Sequence, residues 1–307
     1  MNNTVLVTGG SGLLGKSLHN KESNFTYLSS LDVDLTNLNE TKQVFGLHSP
    51  TTIIHLAGKV GGIKDNIEHP YEFIHKNNLI NTNVIDYCVK RKIKLIFASS
   101  TCVYPKYAPS YPMVETMVDY GEPESTNDAY AYAKRFAGYM LRSAHKQYGL
   151  KYCTLYFCNL YGENDNFNHH NKSHLVTALI EKIYNAKINN VKEIILMGTG
   201  NPLRQFMHSD DAADIILKVL KTDIEGEYNA AIDNNLTVKE IAKIVTQVIG
   251  YSGNIVFSGQ NDGVYRKDVC SKKLLDKIGI HDFIKLNDGV ERTYNYYLKN
   301  KEKQCGN

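Results

Sequence analysis

The stretch Val5-Leu-Val-Thr-Gly-Gly-Ser-Gly-Leu-Leu-Gly15 determines the fold predicted for this chain. A short apolar run leads directly into glycines at positions 9, 12 and 15, and helix-like sequence follows. Glycine lets the backbone turn tightly and approach a pyrophosphate, which the N-terminus of the next helix attracts. The stretch therefore predicts a strand, a dinucleotide-binding turn and a helix, the alternative being a glycine-rich turn without a ligand. The glycines are too closely spaced for a P-loop, although Lys16 and Ser17 follow them.

Short apolar runs and helical patterns alternate through the rest of the first half. The runs cover residues 5–7, 52–57, 95–98 and 154–157. Helical spacing lies between them, as at Leu79, Val84 and Cys88. This alternation is typical of βαβ units and predicts an α/β fold with a parallel sheet covered on both faces.

The second half predicts a different arrangement of helices and short strands. The predicted helices cover residues 173–184, 210–220 and 237–249, and a strand is predicted over 193–197. Thr237 and Glu240 have the spacing of a capping box at the start of the last of these helices. Loops are predicted near 198–201 and 233–235, because glycine and asparagine cluster there.

The composition indicates an ordinary globular protein. The chain has 307 residues, of which 42% are hydrophobic, and only 7 prolines, which excludes a disordered or proline-rich class. No apolar run approaches the roughly 18 residues that cross a bilayer, and the N-terminus lacks the features of a signal peptide. The net charge is +3, from 35 basic and 32 acidic residues. We therefore expect a cytoplasmic protein with no nucleic-acid or membrane partner.

The six cysteines do not form a metal-binding pattern. No CxxC pair is present, and the nearest two, Cys153 and Cys158, lie five residues apart on a predicted strand. Alternation along a strand directs such a pair to opposite faces of the sheet. We expect no metal site, and we expect most of these thiols to lie in the core of a protein from a reducing compartment.

The end of the predicted second strand bears on the choice of cofactor. NAD sites commonly place Asp or Glu there to hold the ribose diol, but this chain has Ser29 and Ser30. These positions hold neither a carboxylate that would repel a 2′-phosphate nor an arginine that would bind one, which favours NADP(H). Asp34 is placed to accept a hydrogen bond from an adenine amino group, or it is a surface-turn residue.

Tyr130 and Lys134 lie four residues apart in helix-like sequence, so they share one helix face. A nearby ammonium stabilises a tyrosinate, so we expect the pKa of Tyr130 to be lowered towards that of a working acid or base. Such pairs are common by chance. The interpretation gains weight from the nucleotide turn and from Ser99-Ser-Thr101 after a predicted strand.

Ser, Tyr and Lys in this order after a Thr-Gly-Gly-x-Gly-x-x-Gly turn resemble the extended short-chain dehydrogenase/reductase family. His55-Leu-Ala-Gly58 resembles that family's cofactor-flanking loop. Further motifs, in order along nearly the whole chain, resemble its GDP-L-fucose synthase branch. They are Lys59-Val-Gly-Gly-Ile63, Ser100-Thr-Cys-Val-Tyr-Pro105, Asn159-Leu-Tyr-Gly162, Asp165-Asn-Phe167, Ser173-His174, Gly198-Thr-Gly-Asn-Pro202 and Arg204-Gln-Phe206.

The resemblance implies catalytic roles for five residues: Ser100, Cys102, Tyr130, Lys134 and His174. Cys102 and His174 match the residues that epimerise the sugar in that branch, whereas without the resemblance they are a core thiol and a surface histidine. A C4 ketone acidifies the hydrogens on C3 and C5, so an acid and a base on opposite faces can invert each centre. Ser100 and Tyr130 would bind the C4 oxygen, and Lys134 would hold the cofactor ribose.

The resemblance also implies NADP(H) as cofactor and a GDP-sugar as substrate. The predicted cofactor-binding residues are Gly9, Gly10, Ser11, Gly12, Leu13, Gly15, Asp34, Leu56, Ala57, Gly58, Tyr130, Lys134 and His174. The predicted substrate-binding residues are Asn159, Asn166, Leu175, Lys182, Met197, Arg204 and Lys267. Lys182 stands where the family often has arginine, and lysine lacks the bidentate geometry of a guanidinium. Met197 stands where some members have tryptophan.

The implied activity is conversion of GDP-4-keto-6-deoxy-D-mannose to GDP-L-fucose by 3,5-epimerisation and NADPH-dependent reduction at C4. One alternative is a C4 reductase of a related GDP-4-keto-6-deoxy sugar, such as a heptose, without epimerisation or with part of it. Another is a cofactor-binding regulatory protein, against which the complete set of Ser100, Tyr130 and Lys134 argues.

The predicted organisation has two domains, with the active site between them. Residues 1–165 would form an NADP-binding Rossmann domain, to which segments near 204–232 return. Residues 166–307 would form mainly a smaller nucleotide-sugar-binding domain. By analogy of fold, we expect a homodimer through helices that flank the Tyr130 segment.

Overall fold

The computed structural model of the protein describes residues 4–167, 174–260 and 262–305. The strands are β1 (Val5–Thr8), β2 (Thr26–Leu28), β3 (Thr52–His55), β4 (Lys94–Ser100), β5 (Tyr152–Phe157), β6 (Asn159–Tyr161), β7 (Glu193–Leu196), β8 (Leu203–His208), β9 (Gly226–Ala230), β10 (Asn235–Thr237) and β11 (Asn254–Phe257). The helices are α1 (Leu13–Lys21), α2 (Leu38–His48), α3 (Ile63–Glu68), α4 (Pro70–Arg91), α5 (Asp128–Tyr148), α6 (Leu175–Ile188), α7 (Ser209–Thr222), α8 (Val238–Ile249), α9 (Lys272–Ile278) and α10 (Leu286–Cys305).

A six-stranded parallel sheet organises the first half and confirms the predicted α/β class. Its strand order is β2-β1-β3-β4-β5-β9. The chain moves from β1 to β2 on one side and then to β3 on the other, so the crevice at the carboxyl ends of β1 and β3 is the switch point where such sheets bind ligands.

Both faces of this sheet are covered by helices, which is why its strands are apolar runs and not alternating sequences. Along β1, Val5 and Val7 pack in one core cluster with Leu18 of α1 and Ile216 of α7. Leu6 points to the other face, in a cluster that includes residues of α4 and α5. The period-2 geometry of the strand therefore divides the core into two layers.

The second half builds its own core around α6, α8 and α10. Two small sheets belong to this region, with strand orders β10-β8-β6 and β11-β7. Thr237 and Glu240 form the predicted capping box at the start of α8. Strand β9, at residues 226–230, rejoins the large sheet beside β5, so the chain passes between the two regions more than once.

Several predicted boundaries shift in the structure. Strand β4 extends to Ser100, and β3 ends at His55, short of the predicted Ala57. Helix α6 begins at Leu175 because His174 is its N-cap, and Ser173 lies outside the described residues. None of the described helices is both long enough and apolar enough to cross a bilayer.

The prediction for Cys153 and Cys158 was wrong. Both thiols are buried in the same core cluster, although alternation along one strand predicted opposite faces. The reason is that β5 ends at Phe157, so Cys158 lies beyond the strand and no longer follows its period.

Candidate active site

The glycine-rich turn forms a backbone cradle at the switch point. Gly9 has φ +75°, a left-handed conformation that favours glycine, and a Cβ there would lie 2.8 Å from the backbone nitrogen of Ala57. A Cβ on Gly15 would collide with the carbonyl of Gly9. Helix α1 follows with Gly12 as its N-cap and no acidic residue in its first turn. These features fit a dinucleotide pyrophosphate, which needs close backbone approach and a free helix N-terminus.

The loop after β3 lies against this cradle. Ala57 donates its backbone N–H to the hydroxyl of Thr8, and Leu56 donates to the carbonyl of Thr8. A Cβ on Gly58 would lie 3.9 Å from Nζ of Lys134. The predicted cofactor-flanking residues Leu56, Ala57 and Gly58 thus connect the glycine turn to the helix that carries Tyr130 and Lys134.

The end of β2 holds a carboxylate that sequence reasoning missed. Ser29 donates both its backbone N–H and its hydroxyl to Oδ2 of Asp32, each at 2.7 Å. A negative charge therefore lies at the end of this strand, although residues 29 and 30 are both serine. The predicted adenine contact, Asp34, is exposed and accepts two hydrogen bonds from Thr36. An Asp three residues after a Ser is a common turn pattern, and this spacing could have predicted that Asp32 lies at the end of β2.

Lys134 lies buried beneath the carboxyl end of the sheet. Its ammonium donates to the carbonyl of Ala98 at 2.9 Å and lies 4.6 Å from the ring centroid of Phe97. The same nitrogen is 5.8 Å from the ring centroid of Tyr130, so the predicted shared helix face is confirmed. Burial lowers the pKa of Lys134 to about 7. No carboxylate of the described part of the chain lies within ion-pair distance of this amine.

The predicted lowering of the Tyr130 pKa is wrong for this structure. Burial, as the larger cause, raises the pKa of Tyr130 above 10, and the neighbouring Cys102 acts in the same direction. Removing the phenol from water penalises the tyrosinate, and the Lys134 ammonium, 5.8 Å from the ring centroid, does not offset that cost. Tyr130 therefore keeps its proton at neutral pH, which suits a group that donates a proton to a carbonyl oxygen.

Cys102 lies in a short 3-10 turn directly after β4, held by two polar side chains. Its backbone N–H donates to the hydroxyl of Ser100 at 3.2 Å. Its sulfur accepts a hydrogen bond from Nδ2 of Asn127 at 3.1 Å. Asn127 is the N-cap of α5, yet its side chain does not cap the helix and turns to the sulfur instead. These contacts hold the thiol in a fixed position at the carboxyl end of β4, beside the N-terminus of α5.

His174 belongs to a second group of polar side chains, between β6 and α6. Its Nδ1 lies 3.0 Å and 3.1 Å from the two carboxylate oxygens of Asp165. The hydroxyl of Thr177 also donates to this carboxylate. Burial lowers the pKa of His174, but the hydrogen bond that its Nδ1–H donates to Asp165 and the negative charge of that carboxylate outweigh burial, so the pKa is raised. The motif Asp165-Asn-Phe167 contains this aspartate, but its pairing with His174 was not predicted.

Arg204, a predicted substrate-binding residue, lies within electrostatic reach of Cys102. Burial lowers the pKa of its guanidinium, whereas Cys102, Asp262 and Glu124 are close enough to raise it. One guanidinium nitrogen donates to the carbonyl of Leu203. The remaining donors lack a carboxylate partner within ion-pair distance in residues 4–167, 174–260 and 262–305, so they are available to an anionic ligand.

The other predicted substrate residues lie in different surroundings. Asn159 begins β6 and donates to the carbonyl of Gln205, while Asn166 is exposed after the buried Asp165. Lys182 is exposed and donates to the carbonyl of Ile195, and Met197 is 75% exposed. Leu175 is half-buried at the start of α6, and Lys267 is half-buried in the segment between β11 and α9. Of the predicted substrate-binding residues, Arg204 is the one with an electrostatic interaction with Cys102 among the described residues.

Glu163, His208 and Asp210 place potential metal-ligand atoms within 4.8 Å of one another. The guanidinium of Arg292 lies 2.8 Å from Glu163 and 2.5 Å from Asp210, and it already supplies the positive charge. Asp210 also donates its backbone N–H to Nδ1 of His208. The cluster is an ion-pair network that ties α10 to the start of α7.

Comparison with known proteins agrees with this geometry. GDP-L-fucose synthase of Dictyostelium discoideum is 33% identical over 97% of this chain and 96% of its own length. GDP-L-fucose synthase 1 of Arabidopsis thaliana is 37% identical over 96% and 93%. A Naegleria fowleri GDP-L-fucose synthetase bound to NADP superposes with a TM-score of 0.88 at 29% identity, over 98% of this chain and 94% of that one.

A GDP-mannoheptose C4 reductase from Campylobacter jejuni with NADP bound has a TM-score of 0.87 at 26% identity, over 97% of this chain and 98% of that one. These likenesses confirm the predicted resemblance to the extended short-chain dehydrogenase/reductase family and its GDP-L-fucose synthase branch. Residues 5–231 match the sequence model of the NAD dependent epimerase/dehydratase family. The chain therefore belongs to the NAD dependent epimerase/dehydratase family.

Proposed function

We propose that the protein converts GDP-4-keto-6-deoxy-D-mannose to GDP-L-fucose by 3,5-epimerisation followed by NADPH-dependent reduction at C4. The observation that carries the proposal is the hydrogen-bonded Cys102 thiol beside Tyr130, at the carboxyl end of the large sheet. A reductase needs Tyr130 and Lys134, whereas a thiol held by Asn127 serves proton transfer at carbon. The full-length likeness to GDP-L-fucose synthases supports the same activity.

Epimerisation requires an acid and a base on opposite faces of the sugar. The C4 ketone acidifies the C3 and C5 hydrogens, and removal of either proton moves the bonding pair into an enolate whose charge rests on the C4 oxygen. Ser100 and Tyr130 donate hydrogen bonds to that oxygen and stabilise the enolate. Cys102 and His174 serve as the base and acid pair. One of them removes the proton from one face of the carbon, and the other returns a proton to the opposite face.

Reduction uses the same carbonyl. NADPH supplies the hydride that C4 receives. Tyr130 donates its phenolic proton to the oxygen as the alkoxide forms, which its raised pKa permits because the phenol is protonated beforehand. Lys134 lies between the Tyr130 ring and the Leu56–Gly58 loop, where it holds the ribose. The glycine turn from Gly9 to Gly15 binds the pyrophosphate through backbone N–H groups.

Arg204 is proposed to bind the diphosphate of the GDP-sugar. Its guanidinium is partly buried, has N–H donors without a carboxylate partner among the described residues, and lies within electrostatic reach of Cys102. A diphosphate there would compensate the desolvated charge and place the sugar over the catalytic cluster. Asn159, Asn166, Leu175, Lys182, Met197 and Lys267 stay proposed contacts of the nucleotide sugar, with Lys182 the weakest because its amine already binds a carbonyl.

A second candidate is a C4 reductase of a related GDP-4-keto sugar, such as a heptose. The superposition on the Campylobacter jejuni C4 reductase favours it, since that fold coincides over nearly the whole chain. The reduction machinery of Tyr130 and Lys134 would be the same in both enzymes. The two candidates differ in whether C3 and C5 exchange their hydrogens with solvent.

The deciding experiment measures that exchange. The protein is incubated with GDP-4-keto-6-deoxy-D-mannose in deuterated water without NADPH, and deuterium at C3 and C5 is followed by NMR and mass spectrometry. We expect exchange in the natural protein and its loss, on the order of a hundredfold or more, in Cys102→Ala. Cys270→Ala is the matched control, because Cys270 is also a half-buried free thiol but lies outside the cluster.

Undiminished exchange in Cys102→Ala would remove Cys102 from epimerisation. Reduction of the keto sugar by the natural protein without any exchange would establish the reductase alternative. Failure to consume NADPH with a panel of GDP-4-keto sugars would contradict both candidates.

The domain division and assembly follow as further proposals. We propose residues 1–165, together with the segments near 204–232 that return to it, as the cofactor domain, and 166–307 as mainly the substrate domain.

A second copy of the chain is the proposed partner for α5, where Tyr132, Phe136 and Tyr139 expose aromatic rings at helical spacing. Sedimentation velocity of the natural protein and Phe136→Glu tests the dimer. Cys88, Cys102, Cys153, Cys158 and Cys270 are free thiols, which agrees with the proposed cytoplasmic setting.

A further inference from the structure

Asp165 is a buried carboxylate in the loop that follows β6. Its side chain is 1% exposed, the kind of position that a charged group occupies only when it is well paired. Among the described residues, the ion-pair partner of Asp165 is His174, and no lysine or arginine lies within ion-pair distance of its carboxylate. The carboxylate is compensated by hydrogen-bond donors.

Three donors converge on this carboxylate. Asn166 donates its backbone N–H to Oδ1 at 2.8 Å, and Thr177 of α6 donates its hydroxyl to Oδ2. Nδ1 of His174 lies within hydrogen-bond distance of both oxygens. The contact crosses from the loop to the first turn of α6, so it fixes the histidine at the start of that helix.

The contact also determines which histidine nitrogen carries the proton. An ionised carboxylate only accepts hydrogen bonds, so Nδ1 of His174 must be a donor. In the neutral imidazole the lone pair then belongs to Nε2. Nε2 makes no hydrogen bond within residues 4–167, 174–260 and 262–305, so it is available to a ligand.

The exposure of the two side chains shows where Nε2 points. His174 is 40% exposed, whereas Asp165 is almost completely buried. Because Nδ1 is on the Asp165 side of the ring, the exposed edge of the imidazole is the one that carries Nε2. A carboxylate beneath the ring and a free nitrogen above it form the arrangement of a directed acid or base.

We propose that Asp165 is the positioning residue of His174, fixing the Nδ1–H tautomer and presenting Nε2 to the C3–C5 region of the keto sugar. The inference rests on the proposed function for the identity of the substrate. Asp165 touches neither sugar nor cofactor, and it acts through the imidazole. Asp165 also favours the imidazolium. His174 is surrounded by the loop after β6 and by α6, and the Asp165 carboxylate is the charged group of these elements that acts on it.

Nuclear magnetic resonance of His174 tests the positioning directly. The full-length protein is labelled with nitrogen-15 at histidine, and His174 is assigned through His174→Asn. In the natural protein the neutral ring should be the Nδ1–H tautomer. A neutral Nε2–H tautomer would overturn the proposal, and this measurement needs no variant of Asp165 to fold.

Asp165→Asn tests the effect of the charge. The amide keeps the shape and can still accept from Nδ1–H, but the negative charge is lost, so the pKa of His174 should fall. Thr177→Val is the matched control, since it removes another hydrogen bond to the same carboxylate and leaves the charge in place. An unchanged His174 titration in Asp165→Asn, or an equal fall in Thr177→Val, would refute the proposed role.

Solvent deuterium exchange then connects the positioning to catalysis. We expect Asp165→Asn to slow exchange at C3 and C5 on the order of a hundredfold, and to move the pH limb set by His174 to lower pH. Thr177→Val should keep most of the exchange and the same limb. If the natural protein shows no exchange, the epimerase activity fails, while the tautomer and titration still decide whether Asp165 controls His174. Full exchange in folded Asp165→Asn would contradict the catalytic consequence.

Discussion

Replacing Lys134 by methionine should abolish reduction and, at the same time, stabilise the fold. Lys134 is 3% exposed, and the one described hydrogen bond of its ammonium goes to the neutral carbonyl of Ala98. A buried cation without a counter-ion costs free energy that a methionine of similar shape does not. The gain should therefore appear in the free energy of unfolding of the protein alone.

The magnitude follows from the pKa of Lys134, which burial lowers from 10.5 to about 7. Each pKa unit corresponds to about 1.4 kcal/mol, which gives an upper limit of roughly 5 kcal/mol. Relaxation of the site and loss of the hydrogen bond to Ala98, worth about 1 kcal/mol, reduce this limit. We expect Lys134→Met to be more stable by about 2 kcal/mol below pH 7.

The pH dependence has a definite sign. Below pH 7 the lysine is protonated in both the folded and the unfolded chain, so the full penalty of burying the charge is present. Between pH 7 and pH 10.5 the folded protein releases the proton first, and the penalty fades as the pH rises. The stability gap between variant and natural protein should therefore close across this interval.

Urea unfolding followed by circular dichroism at pH 6, 8 and 10 measures the gap. Lys243→Met is the control, because Lys243 is exposed on α8 and its replacement should show no such trend. A gap that does not change with pH, or a Lys134→Met protein that is less stable at pH 6, would refute the assignment of Lys134 as a buried, uncompensated cation.

Three further predictions concern the reaction and the cofactor. Tyr130→Phe should lower turnover of the C4 reduction on the order of a hundredfold or more. Its affinity for NADPH, measured by calorimetry, should stay largely intact. Near-normal turnover would show that Tyr130 is not the proton donor. The natural protein should prefer NADPH to NADH in kcat/KM, and a clear preference for NADH would contradict the proposed cofactor. Asp32→Asn should strengthen the NADPH preference roughly threefold, the effect of one charge about 6 Å from a phosphate in water, and no change would place Asp32 away from the 2′-phosphate.

The features that sequence reasoning predicted correctly depend on neighbours along the chain. The turn from Gly9 to Gly15, the capping box of Thr237 and Glu240, and the shared face of Tyr130 and Lys134 all arise within one or two helical turns. Local sterics and local hydrogen bonds decide such features, so the residue pattern is sufficient to recognise them. The apolar runs likewise predicted the buried parallel sheet, because strands covered on both faces must be apolar throughout.

The tertiary structure alone decided the chemical state of the site. Asn127 meets the sulfur of Cys102 because the segment before α5 packs against the carboxyl end of β4, and Asp165 meets His174 because the loop after β6 packs against the start of α6. The raised pKa of Tyr130 and the lowered pKa of Lys134 come from burial, which depends on packing by residues far away along the chain. Residue identity and spacing name the groups that can react, whereas desolvation and long-range contacts set their protonation.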